Sequence, residues 1–100
     1  MRWKLFIDDE RYPVTHGWII ARSQAEAIKA VYVRGIPCEI SFDHDLGDGP
    51  SGYDFAKWLT EYMMDNRLTF PEGFSYHVHS QNPVGAGNIR GLMDNAVRNL

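Results

Sequence analysis

Three clusters, Asp8-Asp9-Glu10, Asp43-His44-Asp45 and His77-Val78-His79-Ser80, each fall where a short apolar run of strand type stops. A parallel α/β sheet gathers the carboxyl ends of its strands along one edge, so a chain patterned this way is expected to bring clusters distant in sequence into one acidic, His-containing site. One hundred residues with 44 % hydrophobic content supply a single core, and the chain reads as one domain over residues 1–100. Everything functional must then share one sheet edge or surface.

The elements follow from period and punctuation. Trp3 to Ile7 is an apolar run interrupted by Lys4, and it ends on Asp8 as a first strand. Asp9 to Gly17 contains Pro13 and Gly17 and has no helical period, which predicts an extended loop in place of a crossover helix. Trp18 to Arg22 is a second strand. Ser23 and Glu26 form a capping box at the head of a helix through about Val33, with Ala25, Ile28, Val31 and Tyr32 inward and Gly35 and Pro37 as its stop. Cys38 to Phe42 gives a third strand. The Asp- and Gly-rich loop Asp43 to Ser51 leads into a second box, Ser51 with Asp54, and Phe55, Trp58, Leu59, Tyr62 and Met63 then repeat at helical spacing. Phe74 to His79 is a fourth strand, and Asn82-Pro83 opens a last helix whose stripe is Ile89, Leu92, Met93, Ala96, Val97 and Leu100.

A parallel sheet covered on both faces should be apolar at nearly every position, and these strands alternate instead. Trp3, Leu5, Ile7, Cys38, Ile40, Phe42, Phe74, Tyr76 and Val78 share one parity; Lys4, Glu39, Ser41, Ser75 and His77 hold the other, with Phe6 the exception. All three helices are therefore expected mainly on one face, leaving the other partly open. Cover from the Asp9 to Gly17 loop, or a homodimer through that face, would each resolve the exposure.

Composition narrows the function. Ten basic against 13 acidic residues give a net charge of −3, which argues against extended nucleic-acid binding but leaves an RNA end as a conceivable substrate. Cys38 is the single cysteine, so no intrachain disulfide can form and a cytoplasmic protein is expected. No stretch approaches the roughly 18 apolar residues of a membrane span.

Carboxylates crowded at one edge repel one another unless a cation or proton neutralises them. Asp8, Asp9, Asp43 and Asp45 supply oxygen ligands suited to a hard divalent ion, Mg²⁺ or Mn²⁺. His79 is closer to its strand end than His77 and is the better candidate for a ligand or a general acid. Ser80, Asn82 and the first N–H groups of the last helix could hold phosphate oxygens. Arg11 and Arg90 are further candidates for an anion, although Glu10 could pair with Arg11 and Arg90 could form a surface ion pair. His44, between two acids, is open to three roles: ligand, acid or packing element. Asp48 and Asp54 read as turn and cap residues.

Asp8-Asp9 after the first strand, Asp43 after the third, Gly52 opening the next helix and Ser80 after the fourth resemble the response-regulator receiver domain. That resemblance implies a truncated flavodoxin-like, receiver-like sheet of order 2-1-3-4, with the acidic pair and Asp43 on Mg²⁺, Asp43 accepting a phosphoryl group and Ser80 contacting it. The departures are a first helix replaced by a loop and no counterpart of the receiver's fifth strand, fifth helix or strand-ending Lys. The strings F-I-D-D-E-R, S-F-D-H-D-L-G and H-V-H-S-Q-N-P are more specifically similar to cyclic-phosphate processing receiver domains, which implies a phosphoesterase role on cyclic phosphates in RNA repair or nucleotide metabolism. The expected activity is metal-assisted opening of a cyclic phosphate of nucleotide, RNA-end or ADP-ribose type. Asp43, His44, His79 and Ser80 are its candidate catalytic groups, and Asp43 is either a metal ligand or the nucleophile. The alternative is a regulatory or phosphate-binding module without turnover.

Overall fold

A computed structural model describes residues 2–100. Strands β1 (Lys4–Ile7), β2 (Trp18–Ala21), β3 (Glu39–Phe42) and β4 (Ser75–Val78) alternate with helices α1 (Gln24–Arg34), α2 (Gly52–Asp65) and α3 (Pro83–Asn99). The strands form one parallel sheet in the order β2-β1-β3-β4, as the resemblance to receiver domains implies. Every crossover carries a helix except the first, where residues 8–17 contain neither helix nor strand.

Alternation along the strands sorts side chains between two unlike faces. Leu5, Ile7, Ile40 and Phe42 are fully buried and join Ala27 and Val31 of α1, Phe55, Leu59 and Met63 of α2, and Ile89 and Met93 of α3 in one cluster. All three helices therefore cover the same face. Each large apolar side chain enclosed there contributes about 1.5–3 kcal/mol, which makes this face the source of the fold's stability. Lys4, Phe6, Trp18, Ile20, Glu39, Ser41, Ser75 and His77 take the opposite parity. Residues 11–15 of the first loop arch over part of that second face.

The inward face of α1 differs from expectation. Ala27 and Val31 are buried, with Ile28 and Ala30 packed beside them, whereas Ala25 is exposed and Tyr32 is 62 % exposed. The small alanines let α1 lie close to the sheet, while the Tyr32 ring turns sideways to meet Trp58 and Tyr62 of α2 edge-on, each at 5.5 Å. The first capping box is also displaced. Ser23 Oγ accepts from the Glu26 N–H at 3.2 Å, but the Glu26 carboxylate accepts from Arg22 N–H at 2.8 Å. At α2 both halves of the Ser51–Asp54 box form.

Two glycines set the approach of helices to the strand ends. A Cβ on Gly52 would lie 1.9 Å from the Asp43 carbonyl oxygen, so α2 can start against β3 only because residue 52 has no side chain. Gly85, in the first turn of α3, makes the same room for the His44 ring. Among the described residues no helix is long and apolar enough to cross a membrane.

Candidate active site at the carboxyl edge of the sheet

Ile7, Phe42 and Val78 lie side by side in register, so the residues that follow them, Asp8, Asp43 and His79, form a row along the carboxyl edge. Their backbone N–H groups continue the ladder, donating to the carbonyls of Ala21, Ile7 and Phe42 at 3.1, 2.9 and 2.9 Å. By parity all three belong to the face that the helices leave uncovered.

Asp8 is the hub of the row. Its Oδ1 accepts from the backbone N–H groups of Glu10 and Arg11 at 2.9 and 2.8 Å, which turns the loop around the carboxylate. Its Oδ2 accepts from Arg11 Nε at 2.9 Å and from His79 Nε2 at 3.0 Å. Burial pushes the Asp8 carboxyl up, but the two backbone donors, the His79 bond and the Arg11 charge together hold it below the ordinary carboxylate range. Arg22, next along the edge, donates to the carbonyls of Asp8 and Arg11 at 3.0 and 2.6 Å and fixes the loop from the other side.

His79 reaches Asp8 by crossing the intervening strand. The small Ser41 side chain on β3 leaves the room, and the imidazole stacks on Phe6 of β1 with centroids 4.6 Å apart and planes 5° from parallel. Ser41 Oγ lies 2.7 Å from His79 Nδ1. Since the Asp8 carboxylate is ionised and can only accept, Nε2 carries a proton, and in the neutral ring Nδ1 accepts from the Ser41 hydroxyl. Ser41, His79 and Asp8 thus form one hydrogen-bonded chain across three strands.

Asp43, 6 % exposed, stands beside this chain and meets Arg11 Nη2 at 3.4 Å. One ligand atom from each of Asp8, Asp43 and His79 falls within 4.8 Å of the others, so the three could hold a metal ion. Two carboxylates and an imidazole are a donor set that divalent first-row ions and Mg²⁺ accept. Arg11 neutralises the same carboxylates, and a bound cation would compete with its guanidinium. The cluster opens into a cleft of about 720 Å³, lined by Asp9, Glu10, Asp45, Asp48 and Gln81 as well as by Asp8, Arg11 and Asp43.

With this edge described, a comparison with protein families is decisive, because residues 3–95 match the model of the cyclic-phosphate processing receiver domain. The chain belongs to that family. No curated protein and no solved structure matches it.

In this receiver domain the other expected site residues are placed differently. Asp9 and Asp45 line the cleft but stand outside the three-residue cluster. Asp45 is largely exposed and bonds His44 Nδ1 at 2.9 Å, which with Asn82 holds its carboxyl below the usual range. The His44 ring lies on the first turn of α3, where a Cβ on Gly85 would come within 2.3 Å of it. Ser80 Oγ accepts from the Asn82 N–H at 3.1 Å, and Asn82 Oδ1 accepts from the Gly85 N–H at 3.0 Å as the cap of α3. Arg90 occupies a separate groove with Tyr76, His77, Val78 and Asp94. There the Tyr76 hydroxyl donates to Asp94, and burial together with that carboxylate pushes Tyr76 up to about 12. His77 pairs with Glu39 on the uncovered face at 2.7 Å. Arg11 pairs with Asp8 and Asp43 rather than with Glu10, because the Asp8-centred turn carries its side chain back over the strand ends.

Three participants were absent from the expected set: Ser41, Phe6 and Arg22. The signal for them was parity, since Ser41 lies two residues before Asp43, Phe6 two before Asp8, and Arg22 two after Ile20, all on the uncovered face. Continued past the strands, the same parity separates Asp8, Asp43 and His79 from His44 and Ser80.

Proposed function

We propose that this receiver domain is a metal-assisted phosphoesterase that opens cyclic phosphates of nucleotide, RNA-end or ADP-ribose type. The observation that carries the reading is the meeting of Asp8, Asp43 and His79 from three strands within 4.8 Å, in a chain of the cyclic-phosphate processing family. A divalent ion held by these groups, Mg²⁺ or Mn²⁺, would polarise a phosphoryl oxygen and lower the pKa of water beside it.

The chain's own residues have distinct tasks in this scheme. Six carboxylates line the cleft against one arginine, so a phosphate enters only with their charge offset. Arg11, whose side chain is 46 % exposed, is free to turn its guanidinium from Asp8 and Asp43 toward the phosphate as they engage a cation. His79 is held by Ser41 and Phe6 with its Nε2 on Asp8; it would either help to hold the ion through Nε2 or, where the two carboxylates hold the ion alone, give its Nε2 proton to a leaving alkoxide. Asp43 has the freest carboxylate of the cluster and would bind the ion or attack phosphorus itself. His44, Ser80 and Asn82 hold the wall where α3 begins, and Ser80 with Asn82 would orient the phosphate from there.

A second reading, a phosphate-ligand-binding module without turnover, is favoured by the ion pairs themselves, because Arg11 already offsets both buried carboxylates. Phosphorus NMR of a panel of cyclic phosphates, with Mg²⁺, Mn²⁺ or EDTA and beside Asp43→Asn, separates the two. Metal-dependent ring opening that the variant loses is the expected result. Metal-dependent shifts of a phosphate signal with no new product would overturn the esterase in favour of the binding module.

A further inference from the structure

On the face without helices, a pocket of about 330 Å³ lies under the β1–β2 loop, within the size range of small-molecule sites. Its walls include the rings of Phe6, Tyr12, Trp18 and His79, and it contains no carboxylate, whereas the neighbouring cleft contains six. The walls are held in place. Trp18 meets Phe6 edge-on at 6.0 Å, lies under Lys4 Nζ at 4.7 Å and donates its indole N–H to Thr15 Oγ1 at 2.9 Å. The Tyr12 ring, although exposed, is capped by the Arg22 guanidinium at 4.6 Å.

This pocket and the acidic cleft are neighbours that share a wall. Arg11 lines both, and His79 contributes its ring to the pocket while its Nε2 meets Asp8 at the cleft. A ligand spanning them needs a flat, uncharged, π-faced part on one side and a phosphate on the other, with edge groups that can meet the Ser41 and Thr15 hydroxyls. A nucleobase has those properties, since every base offers a face for aromatic stacking and polar atoms at its rim. A polyol or an aliphatic chain would leave the rings without a stacking partner.

We infer that the pocket formed by Phe6, Tyr12, Trp18 and Thr15 is a nucleobase site, and that the substrate is a nucleotide whose base lies there while its cyclic phosphate reaches the Asp8–Asp43–His79 cluster. The inference rests on the proposed reading of the cleft as a phosphate site. It adds that substrate choice is made on the opposite side of His79 from the chemistry.

The test uses the base without the phosphate. Adenosine, guanosine, cytidine and uridine are titrated into the labelled chain in EDTA while the indole N–H signals of its three tryptophans are followed, Trp18 being assigned from Trp18→Phe. The expected result is a saturable shift of the Trp18 signal with at least one nucleoside, unchanged in Asp43→Asn and weakened about tenfold in Tyr12→Ala by loss of one stacking partner. The Trp3 indole, which donates to the Gly35 carbonyl at 3.2 Å, should stay still and serves as the internal reference. No nucleoside-dependent shift of Trp18 would overturn the inference. A Trp18 shift that follows protein concentration but not nucleoside would also overturn it, and would assign this face to a second copy of the chain. Ring opening of a base-free cyclic phosphate without nucleoside binding would overturn this inference and keep the esterase. Nucleoside binding without turnover of any nucleotide would keep the base site and remove the esterase.

Discussion

Phe42 and Phe6 are buried phenylalanines on adjacent strands, and they face opposite sides of the same sheet. Phe42 is enclosed by other packing residues, with Phe55 at 6.3 Å and Tyr76 at 6.2 Å. Phe6 is covered by His79 and Trp18, one a candidate for chemistry and the other the wall of a pocket. On the helix side, burial serves stability alone. On the loop side, the groups that shield an apolar surface are the same groups that form the site, so order there and readiness to bind are one property.

The largest expected effect tests that division directly. Phe42→Ala should destabilise the chain by about 3–5 kcal/mol in chemical denaturation, because Phe42 is fully buried, with Phe55 of α2 and Tyr76 of β4 beside it. Phe6→Leu should cost less, about 1–2 kcal/mol, since it trims the side chain where Phe42→Ala deletes it, yet it takes away the surface on which the imidazole stacks. The His79 ring signals should then shift in NMR while the fold persists. Equal losses of stability in the two variants would erase the distinction between the faces.

Asp8 comes next, as the one point where both kinds of role meet. Asp8→Asn should cost on the order of 3 kcal/mol, because Arg11 and His79 lose a buried charged partner. The folded carboxyl lies below its ordinary value of 3.8, so its stabilisation is complete above that pH and is lost as the pH falls through the lowered folded value. Denaturation curves of the parent and the variant should therefore converge in strong acid and separate above it. A gap that stays constant with pH would show that Asp8 stabilises by shape rather than by charge.

The smallest effect belongs to the exposed part of the uncovered face. His77 and Glu39 pair at 2.7 Å, with side chains 58 % and 25 % exposed. His77→Ala should change stability by less than about 1 kcal/mol and leave the proposed ring-opening activity as it is in the parent. A larger loss of stability, dependent on protein concentration, would point to association through this face.

Strand positions and the one-sided placement of the helices were legible because a period of two survives in four-residue strands, whereas the strand order came from the resemblance to receiver domains. Asp8, Asp43 and His79 were legible because each immediately follows such a strand. Less was visible where side chains travel. That His79 crosses β3 depends on the size of Ser41, and that Arg11 returns to Asp8 and Asp43 depends on two backbone hydrogen bonds inside a loop with no period. The inward face of α1 was misjudged because apolar size pointed to Tyr32, while the packing favoured the smaller Ala27 and Ala30.

The missing helix between β1 and β2 also bears on how such a domain can diversify. Residues 12–17 contribute no side chain to the helix-covered core cluster, so changes of length or side chain there would leave the stability that cluster supplies in place. A lineage could exchange this one loop, keep the carboxyl edge and its reactive groups, and arrive at a new ligand preference through a short insertion or a handful of substitutions.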